Sequence, residues 1–130
     1  MNYLLIRTDN HESEIYIYED STEKLAYKWE AHRDLAKNLL SIITDKLNSL
    51  DLDFEDLSGV GVYKGPGSFT GLRIGISTAN SIAYSVGVPI ASESGDEWIK
   101  NILLRLNNAD DEKTAMPFYG AEANITKPKK

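Results

Sequence analysis

The chain passes from an apolar strand to an apolar helix through one glycine-rich junction, Gly61–Gly75, with the sequence GVYKGPGSFTGLRIG. Before it, Gly59, Val60, Gly61, Val62 and Tyr63 read as a short buried strand. After it, Leu72, Ile76, Ala79 and Ala83 fall into helical spacing. A turn of this kind brings backbone N–H groups close to whatever lies at the helix N-terminus, whether phosphate, carboxylate or protein. Two phosphate-binding patterns are excluded by spacing. A P-loop needs four residues between its glycines and then Gly-Lys-Ser/Thr. Here five residues separate Gly65 from Gly71, and Leu72-Arg73 follows. The dinucleotide pattern Gly-x-Gly-x-x-Gly begins at Gly65-Pro66-Gly67 but meets Thr70 where the third glycine belongs. Glycine content alone therefore implies a tight turn and close helix packing.

With 130 residues, 42% of them apolar, the chain suits one compact domain. It has no cysteine, which excludes disulfides and thiolate metal sites, and its two histidines, His11 and His32, do not suggest a zinc site. No apolar run approaches the ~20 residues that span a bilayer, and MNYLLIRTDN has no basic leader. The expected location is cytoplasmic, with no membrane association. Net charge is −6, and because Lys127, Lys129 and Lys130 lie in the last four residues, the first 126 carry −9. So acidic a body repels a nucleic-acid backbone, which argues against direct nucleic-acid recognition by this chain alone.

Residues 3–7, 14–18 and 24–29 read as three strands joined by the turns Asn10–Ser13 and Asp20–Thr22, an antiparallel meander. A helix over 34–47 carries two apolar stripes, Ala36, Leu40, Ile43, Leu47 and Leu35, Leu39, Ile42. Packing on one sheet needs a single stripe, so the surplus implies a second covered surface or deeper burial. A polar connector over 51–58 leads to the strand at 59–63 and a helix over 70–86 rich in small residues, ended by Gly87-Val88-Pro89. Ile90-Ala91 begins a short strand, and Ser94 is placed to cap a last helix over 96–106. Residues 107–114 read as a polar linker and the rest as an extended tail. The order βββαβαβα predicts an α/β fold, a mixed sheet with helices on its faces.

The unbroken eleven-residue run GPGSFTGLRIG, followed by an Ala- and Ser-rich helix and Gly87-Val88-Pro89-Ile90-Ala91, closely resembles the TsaB (YeaZ) family. Those proteins are the dimerisation subunit of the bacterial tRNA threonylcarbamoyladenosine complex. Ile6-Arg7-Thr8, His32, Pro117-Phe118-Tyr119 and the tail NITKPKK extend the likeness over most of the chain. The resemblance implies a single ribonuclease-H-like half-domain of the actin/Hsp70 ATPase superfamily over residues 1–106, with 107–130 as linker and tail. It also implies a non-catalytic scaffold that binds a TsaD-type transferase through helices 34–47 and 70–86. On that reading the partner contacts are Leu35, Leu39, Ile42, Leu72, Arg73 and Ile76, and the motif turn is Gly65, Pro66, Gly67, Ser68, Phe69, Thr70 and Gly71. The chain itself would need no cofactor, with ATP and metal on the partner. A TsaE-type ATPase could join the assembly, and tRNA would be met only through the complex.

Two features depart from the family. TsaB proteins usually have two half-domains and this chain has room for one, so internal loss of the second lobe is expected. The superfamily's first strand carries an aspartate that works with metal and phosphates, but here Arg7 stands in Ile6-Arg7-Thr8-Asp9. Arginine can be neither a base nor a Mg²⁺ ligand. Two other readings stand beside the scaffold. One is a self-associating homodimer through the same helices. The other is a residual nucleotide hydrolase or peptidase built on Ser68, His32 or Asp9.

Overall fold

The computed structural model describes residues 1–31 and 34–118. Three strands open the chain: β1 (Asn2–Arg7), β2 (Glu12–Glu19) and β3 (Thr22–Glu30). Helix α1 (Leu35–Asn48) follows, then a single 3₁₀ turn (Phe54–Asp56), β4 (Leu57–Tyr63), α2 (Phe69–Val86), β5 (Ile90–Glu93) and α3 (Trp98–Asn107). The strands form one mixed sheet in the order β3-β2-β1-β4-β5. β1–β2 and β2–β3 pair antiparallel, while β1–β4 and β4–β5 pair parallel. The meander and the mixed sheet expected from the pattern are both present.

Side chains alternate along each strand, so each residue's place in the register sets the face it serves. Tyr3 and Leu5 on β1, aligned with Tyr18 and Tyr16 on β2 and with Gly59 and Gly61 on β4, form the face under α3. There Ile102 lies so close to β4 that a Cβ on Gly61 would sit 2.5 Å from its Cγ2. This is why a strand that otherwise reads as Val-rich carries a glycine at that position.

Leu4 and Ile6, with Ile15, Ile17, Val60 and Val62, form the opposite, fully buried face. It is covered by α2, through Leu72, Ile76 and Ala79, and by α1, through Leu35, Leu39, Ile43 and Leu47. α1 therefore buries one residue from every turn at four-residue spacing, and its buried stripe takes members of both stripes drawn from sequence.

α2 ends at Gly87, whose φ of 82° is left-handed, with its N–H bonded to the Ala83 carbonyl at 2.8 Å. α3 starts later than expected. Its N-cap is Glu97, and Ser94 Oγ instead donates to the Gly65 carbonyl. The segment after α3 is not a free linker. Residues 110–118 run back along β5 to α2 and to the glycine-rich turn, with Ala115 buried. Among the described residues no helix is long and apolar enough to cross a membrane.

Candidate functional site: the glycine-rich turn and the α1–α2 face

The turn is built against the end of β1. Gly65-Pro66 is a cis peptide, and Gly65 has a φ of 116° that a side chain would resist. The Ser68 N–H donates to the Asp9 carbonyl at 2.6 Å, and Thr8 Oγ1 donates to the Gly71 carbonyl at 2.7 Å. Gly67, Gly71 and Gly75, four residues apart, line one side of the α2 start. A Cβ there would lie 2.4 Å from Asp9 Cβ, 2.3 Å from the Thr8 carbonyl oxygen and 2.1 Å from Thr8 Oγ1. The glycines thus hold a slot for Thr8-Asp9, and close packing inside the chain accounts for them. Ser68, Phe69 and Thr70 are exposed on the outer side, with the Arg73 guanidinium 5.1 Å over the Phe69 ring.

At the end of β1, Arg7 occupies the position where the family resemblance implies an aspartate. Its Nε and Nη2 donate to the two Asp9 carboxylate oxygens at 2.7 and 3.0 Å. The guanidinium lies 3.9 Å from the Tyr63 ring centre and 5.9 Å from that of Trp98. The Asp9 hydrogen bond holds the Arg7 pKa above its ordinary value. Beside it Tyr16 donates to Glu14, and burial, followed by that bond, pushes the phenol up. Both Asp9 oxygens are committed to Arg7, so Asp9 does not stand as a free metal ligand in place of the missing aspartate. No cluster of three His, Cys, Asp or Glu side chains suited to a metal occurs among the described residues. The bond between Ser68 and Asp9 joins backbone atoms, and His32 lies outside the described residues.

The expected partner contacts fall in three places. Leu35, Leu39, Leu72 and Ile76 are core residues, at most 4% exposed, packed between the helices and the sheet. They cannot meet a partner while the domain is folded, which corrects the expectation for these four. Ile42 is half-buried and lies one turn before Lys46, whose Nζ sits 4.0 Å over Tyr27 of β3, so it faces the β3 flank of α1. Arg73 is exposed on α2. The surface that α1 and α2 do present is a shallow groove between them, lined by Ala36, Leu40, Phe54, Ser77, Ser81 and Ile82 among others. Leu40 is 52% exposed there.

Ala36 and Leu40 were legible as an apolar stripe, but sequence did not show which stripe faced inward. The bonds from Arg105 to Ser92 and from Asn80 to Ala115 gave no local signal, because each joins residues more than ten positions apart.

Comparison with known proteins bears on both the fold and the turn. The family model described as TsaD, tRNA N6-adenosine threonylcarbamoyltransferase, matches residues 29–95, a span that includes α1, the turn and α2. The chain belongs to the TsaD/TsaB family, as a TsaB (YeaZ) type member. The tRNA threonylcarbamoyladenosine biosynthesis protein TsaB of Bacillus subtilis is 33% identical over 99 residues, covering 76% of this chain and 43% of that protein. The Escherichia coli protein of the same name is 27% identical over 125 residues, covering 92% and 54%. The chain therefore spans about half the length of these curated relatives.

Among solved structures, YeaZ from Pseudomonas aeruginosa aligns with a TM-score of 0.66 at 22% identity, over 72% of this chain and 43% of that one. RuvC from Thermus thermophilus, solved with a Holliday junction substrate, aligns at 0.54 and 9% identity, over 95% and 87%. At these identities the likeness concerns the fold, which is ribonuclease-H-like.

Proposed function

We propose that this TsaB-type chain serves tRNA threonylcarbamoyladenosine biosynthesis as a non-catalytic interaction subunit, docking a TsaD-type catalytic subunit on its α1–α2 face. The observation that carries this reading is the groove between the helices. Leu40 stands half-exposed on one wall, and Ser77, Ser81 and Ser85 repeat every fourth residue on the other. Small hydroxyl side chains let a partner helix approach closely, while Leu40, Phe54 and Val86 supply apolar area. Arg73 lies on the same outer side of α2 and would pair with a partner carboxylate at the rim. The names of the curated TsaB relatives support the pathway, and the Arg7–Asp9 pair at the end of β1 is in keeping with chemistry, ATP and metal residing on the partner.

Light scattering on size-exclusion eluate tests this with the chain, the same organism's TsaD-type subunit and their mixture. The expected result is a mass equal to one of each. A standard interface would bury ~1,600 Å² in total. Leu40→Arg and Ser81→Arg are expected to abolish the complex while circular dichroism stays unchanged. Leu39→Arg is expected to unfold the chain, because that side chain is 1% exposed. Retention of the complex by both Leu40→Arg and Ser81→Arg would remove the α1–α2 face from the reading. A tight homodimer that excludes the partner would favour self-association through the same helices.

A further inference from the structure

β5 is the last strand on its side of the sheet, and its outward-facing amides are met by side-chain carboxylates instead of a sixth strand. The Ile90 N–H donates to Asp111 Oδ1 at 3.1 Å, and the Ser92 N–H donates to Glu112 Oε2 at 2.7 Å. The Ser92 hydroxyl donates to the other Glu112 oxygen at 2.8 Å, and the Glu112 N–H returns to the Ile90 carbonyl at 2.8 Å.

Arg105 of α3 locks this arrangement. Its Nη1 reaches the Ser92 carbonyl at 2.9 Å, Glu93 at 3.0 Å and Glu112 at 2.7 Å, and its Nε reaches Asp110 at 2.7 Å. The chain then crosses to the other face of the sheet. Asn80 of α2 holds the Ala115 backbone on both sides, Nδ2 to the carbonyl at 3.0 Å and Oδ1 from the N–H at 2.8 Å. Finally the Phe118 N–H donates to the Lys64 carbonyl at 2.7 Å, and the Phe118 carbonyl oxygen fills the space that a Cβ on Gly65 would need. Ala109 and Lys113 make the bends at left-handed φ values of 60° and 68°, which non-glycine residues adopt only when held there.

We propose that residues 110–118 form a latched strap, fastened at Arg105, that braces α2 and the glycine-rich turn in the position required for docking on the α1–α2 face. In that consequence the proposal rests on the docking reading above. The turn is gripped from two directions. Thr8 and Asp9 hold its downstream side through Gly71 and Ser68, and Phe118 holds its upstream side through Lys64 and Gly65. Releasing the strap removes the Phe118 grip and leaves the turn held by β1 and by the bond from Ser94 to the Gly65 carbonyl. The latch is ionic and lies at the surface, with the Arg105 side chain 27% exposed, so it is the part of the strap that opens without melting the core.

Backbone hydrogen exchange on the full chain tests the brace without any partner. In Arg105→Gln, the Ile90, Ser92 and Glu112 amides are expected to exchange at least about tenfold faster, and the Ser68 and Leu72 amides of the turn with them, while circular dichroism is unchanged. Asn80→Ala is expected to accelerate Ala115, Ser68 and Leu72, and it carries the test if Arg105→Gln does not fold. Faster strap amides with Ser68 and Leu72 at wild-type rates would overturn the brace.

Titration with the TsaD-type subunit then separates the two claims. Asn80→Ala is expected to weaken binding about tenfold with the groove residues intact, whereas Leu40→Arg abolishes binding with strap exchange unchanged. Wild-type affinity in Asn80→Ala overturns the link to docking. No binding by the wild-type chain, with the exchange coupling present, defeats the docking reading and leaves the mechanical coupling standing.

Discussion

Thr8 dictates which residues the start of α2 can carry. Its carbonyl oxygen and its hydroxyl lie where side chains on Gly71 and Gly75 would begin. Gly75→Ala is expected to cost about 1–3 kcal/mol by overpacking, measured by denaturant melting. Because the obstacle is Thr8 Oγ1, Thr8→Ala in the same chain is expected to return much of that loss, a coupling that a double-mutant cycle would read. Gly71→Ala meets backbone instead, so no side-chain change at Thr8 should rescue it. At this scale the sequence was readable as far as a tight turn with close packing. The identity of the packing partner was not readable, since Thr8 and Gly71 are 63 positions apart. Arg7 was legible as a departure from its family, yet its stacking on Tyr63 and Trp98 depends on β4 and α3 being in place.

Elements were legible wherever their periodicity was set by one sheet. All five strands and three helices lie where the alternation and the helical spacing put them, with ends shifted by at most two residues. What failed was the assignment of faces. α1 has apolar residues across nearly half of its circumference, and only the neighbours decide that Leu39 faces in and Leu40 out. The cap of α3 failed for a similar reason, because the Gly65 carbonyl takes the Ser94 hydroxyl first. The strap carries no periodicity, and its structure comes from carboxylates satisfying the β5 edge.

That chemistry gives the strap an acid sensitivity. Burial opposes ionisation of Asp111, but the Ile90 and Lys113 amides outweigh it and hold the carboxyl below its ordinary 3.8. A carboxyl with a depressed folded pKa stabilises the fold fully above its unfolded value and loses that contribution as pH falls through the folded one. Asp111→Asn is therefore expected to lower the melting temperature at neutral pH and to show a shallower further decline below about pH 4 than the parent chain. Thermal melts across that range check both arms.

The whole molecule is an acidic body around one mixed sheet, and the charge follows from composition alone. The isolated chain is expected to show no measurable affinity for tRNA in filter binding at about 150 mM salt, because nothing in a net −6 chain favours release of counterions from phosphate. Binding that appears only when the TsaD-type subunit is added would be the expected contrast. The two sides of the sheet also differ in kind. β5 is already covered by the strap, whereas β3, nine residues from Thr22 to Glu30, forms the other edge with Glu23, Lys24, Lys28 and Glu30 along it. Among the described residues β3 is thus the one open edge for strand addition between copies, and a β3-to-β3 pairing consumes that edge in both partners. Assembly by that route terminates at two copies, so even a misfolding-prone stock of this chain should yield capped pairs in place of growing fibres while the strap stays fastened.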